Sequence, residues 1–281
     1  MDSLVSTAWL AAHLGEADLL ILDASSHLPA AGRDAAAEFA AGHIPGARFL
    51  DLASFKDAAS PVPNALPTGE QVAERLAQLG YHAGQRIVIY DDSDVKTSAR
   101  AWFALRRAGV GPLALLDGGL GKWRAEGRAL ETGAAQAGPG RPLRFATSDA
   151  RVRTKAQMLA NIAGGAEQVV DARDPDRFSA ATADAVHDLP GGHIPGSRNL
   201  FFRDLFHADG TLKDDDRLRA AFTDAKVDLD RPIVTTCGSG VTASVLLFAL
   251  HRLGIEDGAL YDGSWSEWGA DPDTPKAGGT G

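Results

Sequence analysis

Apolar positions along this chain fall into two kinds of run. Short stretches at 19–22, 87–90, 169–170 and 233–236 are β-branched, aliphatic or aromatic, and read as buried strands of a parallel sheet. Between them, apolar residues recur at helical spacing over 69–79, 98–108, 156–162, 217–226 and 242–253. In both halves an Asp closes a strand and a helical stretch follows. Strands alternating with helices predict an α/β fold with helices on both faces of a mainly parallel sheet.

The pattern is written twice. GHIPGA at 42–47 recurs as GHIPGS at 192–197, and ILDAS at 21–25 as VVDAR at 169–173. ALRRAGV at 104–110 recurs as ALHRLGI at 249–255, and LLDGGLGKW at 115–123 as LYDGSWSEW at 260–268. Four matches in the same order predict two homologous domains. Residues 133–150 are rich in Gly, Ala and Pro and read as a surface linker. The expected boundaries are 1–132, a linker at 133–148, and 149–281. The tail from 271 reads as disordered or loosely attached.

Composition narrows the classes. The chain has 281 residues, enough for two ordinary domains, with 44% hydrophobic and 23% charged residues, as in soluble globular proteins. It has no apolar run of membrane-spanning length. The first twenty residues contain no Lys or Arg, unlike a secretory signal, so a cytoplasmic location is expected. A net charge of −9 disfavours nucleic acid and anionic membranes as partners. The single cysteine, Cys237, forms no internal disulfide and builds no thiolate metal site.

Cys237 directly follows the strand at 233–236, and the helix at 242–253 begins a few residues later. In parallel sheets the ligand crevice lies beyond the carboxyl ends of the strands. Gly238 and Gly240 permit positive φ, so a tight loop turns the amides of residues 238–243 towards the sulfur. Those amides and the helix N-terminus favour a thiolate and would equally hold a persulfide.

CGSGVTA, with GHIPGS upstream and YDGSWSEW downstream, resembles the tandem rhodanese-type sulfurtransferases, on the mercaptopyruvate-using branch. The resemblance implies two homologous rhodanese-like domains, each a mainly parallel sheet flanked by helices. It implies a persulfide relay: Cys237 takes sulfur from 3-mercaptopyruvate, pyruvate leaves, and the outer sulfur passes to a thiol such as thioredoxin or glutathione, or to cyanide. No metal or organic cofactor is implied. Thiosulfate-using relatives carry basic residues in the loop, as CRKGVT; here those positions are Gly238 and Ser239. By the same resemblance Ser239, His43 and Asp34 form a proton relay, and Arg177 holds the donor carboxylate. Gly238, Gly240, Val241 and Thr242 would line the donor site. A second substrate arginine of the family is missing, and His187 lies nearest its place as a weaker, pH-dependent cation. Asp91, or Asp92 beside it, stands where a cysteine would be in the first half, which is therefore expected to be catalytically silent.

Three other readings remain open. A cysteine phosphatase wants an Arg closing a Cys-x5-Arg loop, but residues 243 and 244 are Ala and Ser. A non-enzymatic persulfide-binding module is usually reached by losing the cysteine, which is kept here. A thiosulfate:cyanide sulfurtransferase is kept open by the missing arginine.

Overall fold

Each half of the chain builds a five-stranded, all-parallel sheet, seen in a computed structural model that describes residues 1–134 and 143–279. One unit comprises Met1–Asp57, Leu66–Ser148 and His207–Leu212; the other comprises Ala58–Ala65, Asp149–Phe206 and Lys213–Gly281. In the first, β1 (Leu4–Val5), β2 (Leu19–Asp23), β3 (Arg48–Phe49), β4 (Arg86–Tyr90) and β5 (Leu113–Leu116) lie in the order β1-β5-β4-β2-β3. In the second, β6 (Val152–Arg153), β7 (Gln168–Asp171), β8 (Arg198–Asn199), β9 (Ile233–Thr236) and β10 (Ala259–Tyr261) repeat it as β6-β10-β9-β7-β8. Identical strand order in two units is what a duplicated chain produces.

The helices of the first unit are α1 (Thr7–Ala12), α2 (Ala35–Ala41), α3 (Gly69–Gln78), α4 (Ser98–Arg107) and α5 (Gly119–Ala125). Those of the second are α6 (Lys155–Gly164), α7 (Pro175–Ser179), α8 (Asp215–Asp224), α9 (Val241–Arg252) and α10 (Ser264–Trp268). Local chemistry sets their starts: Thr68 and Thr154 close capping boxes with Gln71 and Gln157. The inner strands β4 and β9 are buried from Ile87 to Tyr90 and from Ile233 to Thr236, as a sheet covered on both faces requires. Helix α9 is buried continuously from Ala243 to Leu250, so it is apolar all round rather than amphipathic. Among the described residues no helix is long and apolar enough to cross a membrane.

The repeated GHIPG motif is an anchor in both units. The rings of His43 and His193 stack on Phe39 and Phe178, each pair with centroids 3.9 Å apart. Their Nδ1 atoms bond the carbonyls of those same residues, at 2.7 and 2.9 Å. His43 makes a two-way backbone bridge with Glu131, and His193 makes the same bridge with Ala277. That second bridge corrects the expectation of a loosely attached tail. Gly279 N bonds Ser179 O at 2.8 Å, and Thr274 is buried with its hydroxyl on Trp268 O at 2.5 Å. Of the expected linker, residues 135–142 lie outside the described residues, and 143–148 belong to the first unit, where Ser148 N bonds Arg107 O at 3.1 Å.

Phe145 passes so close to the first turn of α3 that a Cβ on Gly69 would lie 2.1 Å from its carbonyl oxygen. Backbone cannot yield as a flexible side chain does. Gly69→Ala should therefore destabilise the protein by about 1–3 kcal/mol, the usual cost of overpacking. Urea unfolding measures this; an unchanged midpoint would contradict the close approach.

Candidate active site

Cys237 sits at the carboxyl end of β9, 1% exposed. A turn from the start of α10 holds its backbone in place. Trp265 N donates to Cys237 O at 2.9 Å, and Ser266 donates to Gly238 O through its amide at 2.8 Å and its hydroxyl at 2.6 Å. Cys237 N donates to Ser264 Oγ at 3.2 Å, and Asn64 Nδ2 to Ser239 O at 3.0 Å. Three consecutive carbonyls are thus bound from outside the loop. Gly240, at φ +79°, turns the chain into α9 and gives that helix no side-chain cap. Among the described residues, the amides of 238–243 meet no acceptor from the chain.

The first unit has the same loop with its own anion inside. Leu120 N donates to Asp91 O at 3.1 Å, as Trp265 N does to Cys237 O, which identifies Asp91 as the counterpart of the cysteine. The buried Asp91 carboxylate accepts the amides of Ser93 at 2.9 Å and Ser98 at 2.8 Å, the latter opening α4. A carboxylate on helix-terminal amides is a favourable pairing. Asp92 pairs at the surface with Arg33 and Arg124, at 3.1 and 2.8 Å.

Beside Cys237 lies a buried charge cluster centred on Asp184, whose side chain is fully buried. Arg173 forks onto Asp171, with Nη2 at 2.6 Å from Oδ2, bonds Gly192 O at 2.6 Å, and lies 4.5 Å above the Trp265 ring. Burial alone would lower the Arg173 pKa; the charges of Asp171, Asp184 and Cys237 outweigh it and raise it. Arg177 holds Asp174 through Nε and Asp184 through Nη1 at 3.3 Å. His187 Nδ1 lies 3.0 Å from Asp184 Oδ1. Burial works to raise the Asp184 pKa, but the hydrogen bond and charge of His187, then Arg177 and Arg173, bring it down to about 2.

The second unit thus brings together Cys237, Ser239, Gly240, Val241, Thr242, Arg177 and His187. Gly238 needs a different explanation from the one its type suggested. It lies outside the left-handed region; its Cβ position is taken by His187, whose Cε1 is 2.1 Å away. The Asp34–His43 pair expected from the resemblance is not joined. Asp34 is exposed and caps α2, accepting from Ala36 N at 3.0 Å and Ala37 N at 3.1 Å. His43 is buried, bonded to Phe39 O through Nδ1, and its Nε2 meets no partner among the described residues.

Sequence reasoning missed Arg173, Asp184 and the supporting turn. Comparing the two halves position by position exposes all but Asp184. Arg173, Ser264, Trp265 and Ser266 replace Ser25, Gly119, Leu120 and Gly121 of the first half. The half with the cysteine differs from its copy at the residues that touch the cysteine loop or stack beside it.

The Rhodanese-like domain family matches residues 6–126 and 154–271. The chain is 38% identical over 272 residues to the 3-mercaptopyruvate sulfurtransferase of Escherichia coli, covering 96% of each. It is 38% identical over 272 residues to the 3-mercaptopyruvate sulfurtransferase of Homo sapiens, covering 95% of this chain and 91% of that one. The crystal structure of the 3-mercaptopyruvate sulfotransferase SseA from Escherichia coli superposes with a TM-score of 0.85 at 36% identity, over 94% of this chain and 99% of that one.

Two outcomes follow from the site's geometry. Ser264 has φ +49°, a strained value for a residue with a Cβ, and its Oγ satisfies the Cys237 amide. Ser264→Ala keeps the strain and orphans a buried N–H, so it should cost about 1–3 kcal/mol. Ser264→Gly relieves the strain and should cost less; equal losses in denaturant unfolding would contradict this. Second, the Asp184 pKa is lower in the folded protein than its ordinary 3.8. Its contribution to stability is therefore full above that ordinary value and is lost as pH falls from about 4 towards about 2. Unfolding free energy measured across this range should decline, and Asp184→Asn should flatten part of the decline.

Proposed function

The chain belongs to the rhodanese family, and on that premise we propose that it moves sulfane sulfur from 3-mercaptopyruvate to a thiol or cyanide through a persulfide on Cys237. It is a sulfurtransferase, and so works between a sulfur donor and a sulfur acceptor. The observation that carries the persulfide assignment is the contrast between the two loops. In one, a carboxylate caps two amides; in the other, Cys237 stands in the carboxylate's place, and among the described residues no competing acceptor meets the amides. A thiolate and a persulfide are both anions suited to that cradle.

The donor reading rests on charge. Gly238 and Ser239 leave the loop without a cation, which suits a monoanionic keto acid better than a dianion. Arg177, with its side chain 22% exposed, is the cation we assign to the donor carboxylate, and Ser239 follows the sulfur-bearing residue by two positions in the same loop. The amides of Gly240, Val241 and Thr242 complete the wall. Thiosulfate is the second reading, favoured by the Arg173 charge acting on Cys237, although Asp171 and Asp184 already balance that guanidinium. Glutathione or a thioredoxin-like protein would serve as the acceptor thiol. We place the reaction in the cytoplasm, where a lone thiol stays reduced.

Incubation with 3-mercaptopyruvate alone, followed by intact mass measurement, should add about 32 Da, one persulfide sulfur, and Cys237→Ser should add nothing. Turnover without that mass shift in the unmodified protein would overturn the covalent route. The ratio of kcat/KM for mercaptopyruvate to that for thiosulfate, with one acceptor, decides between the donors.

A further inference from the structure

Transfer from 3-mercaptopyruvate moves one proton as well as one sulfur. The Cys237 thiolate forms an S–S bond with the donor sulfur, the donor C–S bond breaks, and its electron pair passes into the enolate of pyruvate. The proton that began on the donor S–H ends on the enolate methylene carbon, giving the methyl group of pyruvate. The relay expected for this proton, through Asp34 and His43, is not assembled: Asp34 caps a helix and His43 Nδ1 is bonded to Phe39 O.

A carboxylate–imidazole pair does stand beside the nucleophile. His187 Nδ1 lies 3.0 Å from Asp184 Oδ1, and the ring presses against Gly238, the residue following Cys237. An ionised carboxylate only accepts hydrogen bonds, so it holds the Nδ1 proton in place and leaves Nε2 free to take up or release another. Asp184 is held ionised first by His187 itself and then by Arg177, from α7, and Arg173, just after β7. Asp174 in turn balances Arg177. The imidazole side chain is 17% exposed, open enough to meet a substrate.

We propose, resting on the mercaptopyruvate reading, that His187 carries this proton, with Nε2 taking it from the donor S–H as the S–S bond forms and returning it to the methylene carbon. Asp184 is the positioning residue that fixes the ring. This differs from the part expected for His187 as a substitute cation, which an arginine would fill equally well.

Thiosulfate separates the two parts, because it carries no proton on the transferred sulfur and releases sulfite directly. Persulfide formation on Cys237 is followed by mass in single turnovers for the unmodified protein, His187→Gln and His187→Arg. With mercaptopyruvate, both variants should charge about 10²–10⁴-fold more slowly, as for loss of a general acid–base group. His187→Arg should keep the donor KM. With thiosulfate, or inorganic polysulfide if thiosulfate does not charge the protein, both should retain their rates, which also shows that the site is folded. Restoration of the mercaptopyruvate rate by His187→Arg would overturn the proposal in favour of a simple cation. Equal slowing with every donor would overturn it in favour of a structural role. Failure of the unmodified protein to charge from mercaptopyruvate, while charging from thiosulfate, would overturn the donor reading and this proposal with it.

Discussion

Backbone amides at the start of a buried helix require an acceptor, and that constraint shapes both halves of this protein. After β4 the acceptor is the Asp91 carboxylate, which bonds Ser93 N and Ser98 N. After β9 the corresponding position is Cys237, and the amides of 238–243 meet no acceptor from the chain among the described residues. The first loop is complete without a ligand. The second holds a thiol at the position where the first holds a carboxylate, so the two copies of one fold differ in what they offer the same amides.

The surroundings of Cys237 follow from that difference. The carbonyls of this loop need partners, and Trp265, Ser266 and Asn64 supply them. Ser264 pays for its role with a left-handed backbone conformation. Its counterpart in the first unit is Gly119, where a Cβ would lie 2.4 Å from Asp91 O. Trp265, whose amide holds Cys237 O, also carries the Arg173 guanidinium 4.5 Å above its ring. Through Arg173 and Arg177 the loop is coupled to Asp184, and through Asp184 to His187. A buried carboxylate with two guanidiniums and an imidazole costs desolvation free energy, and its specific geometry offsets part of that cost.

The inner strands and longer helices were legible because hydrophobic periodicity is a local signal; 233–236 matches β9, and 69–79 overshoots α3 by one residue. The two-residue strands β1, β3, β6 and β8 carry no periodicity and exist only through their neighbours in the sheet. The duplication was plain, and with it the cysteine loop. Gly238 was read by type as a flexible residue, whereas the structure makes it the space in which His187 rests. Asp184 is polar, lies in a segment without pattern, and becomes central only when the chain brings Arg173, Arg177 and His187 around it. Tail residues such as Thr274 and Ala277 looked loose by composition because their hydrogen bonds reach distant backbone.

Replacing the sulfur by a fixed anion tests the cradle most directly. Asp and Asn have nearly the same shape and differ in charge, so Cys237→Asp and Cys237→Asn separate charge from packing. An anion-binding loop should make the Asp variant more stable at neutral pH by about 1–3 kcal/mol in denaturant unfolding, the range for charged hydrogen bonds. That advantage should vanish on acidification. A Cys237→Asn protein as stable as Cys237→Asp at neutral pH, or more so, would contradict the account.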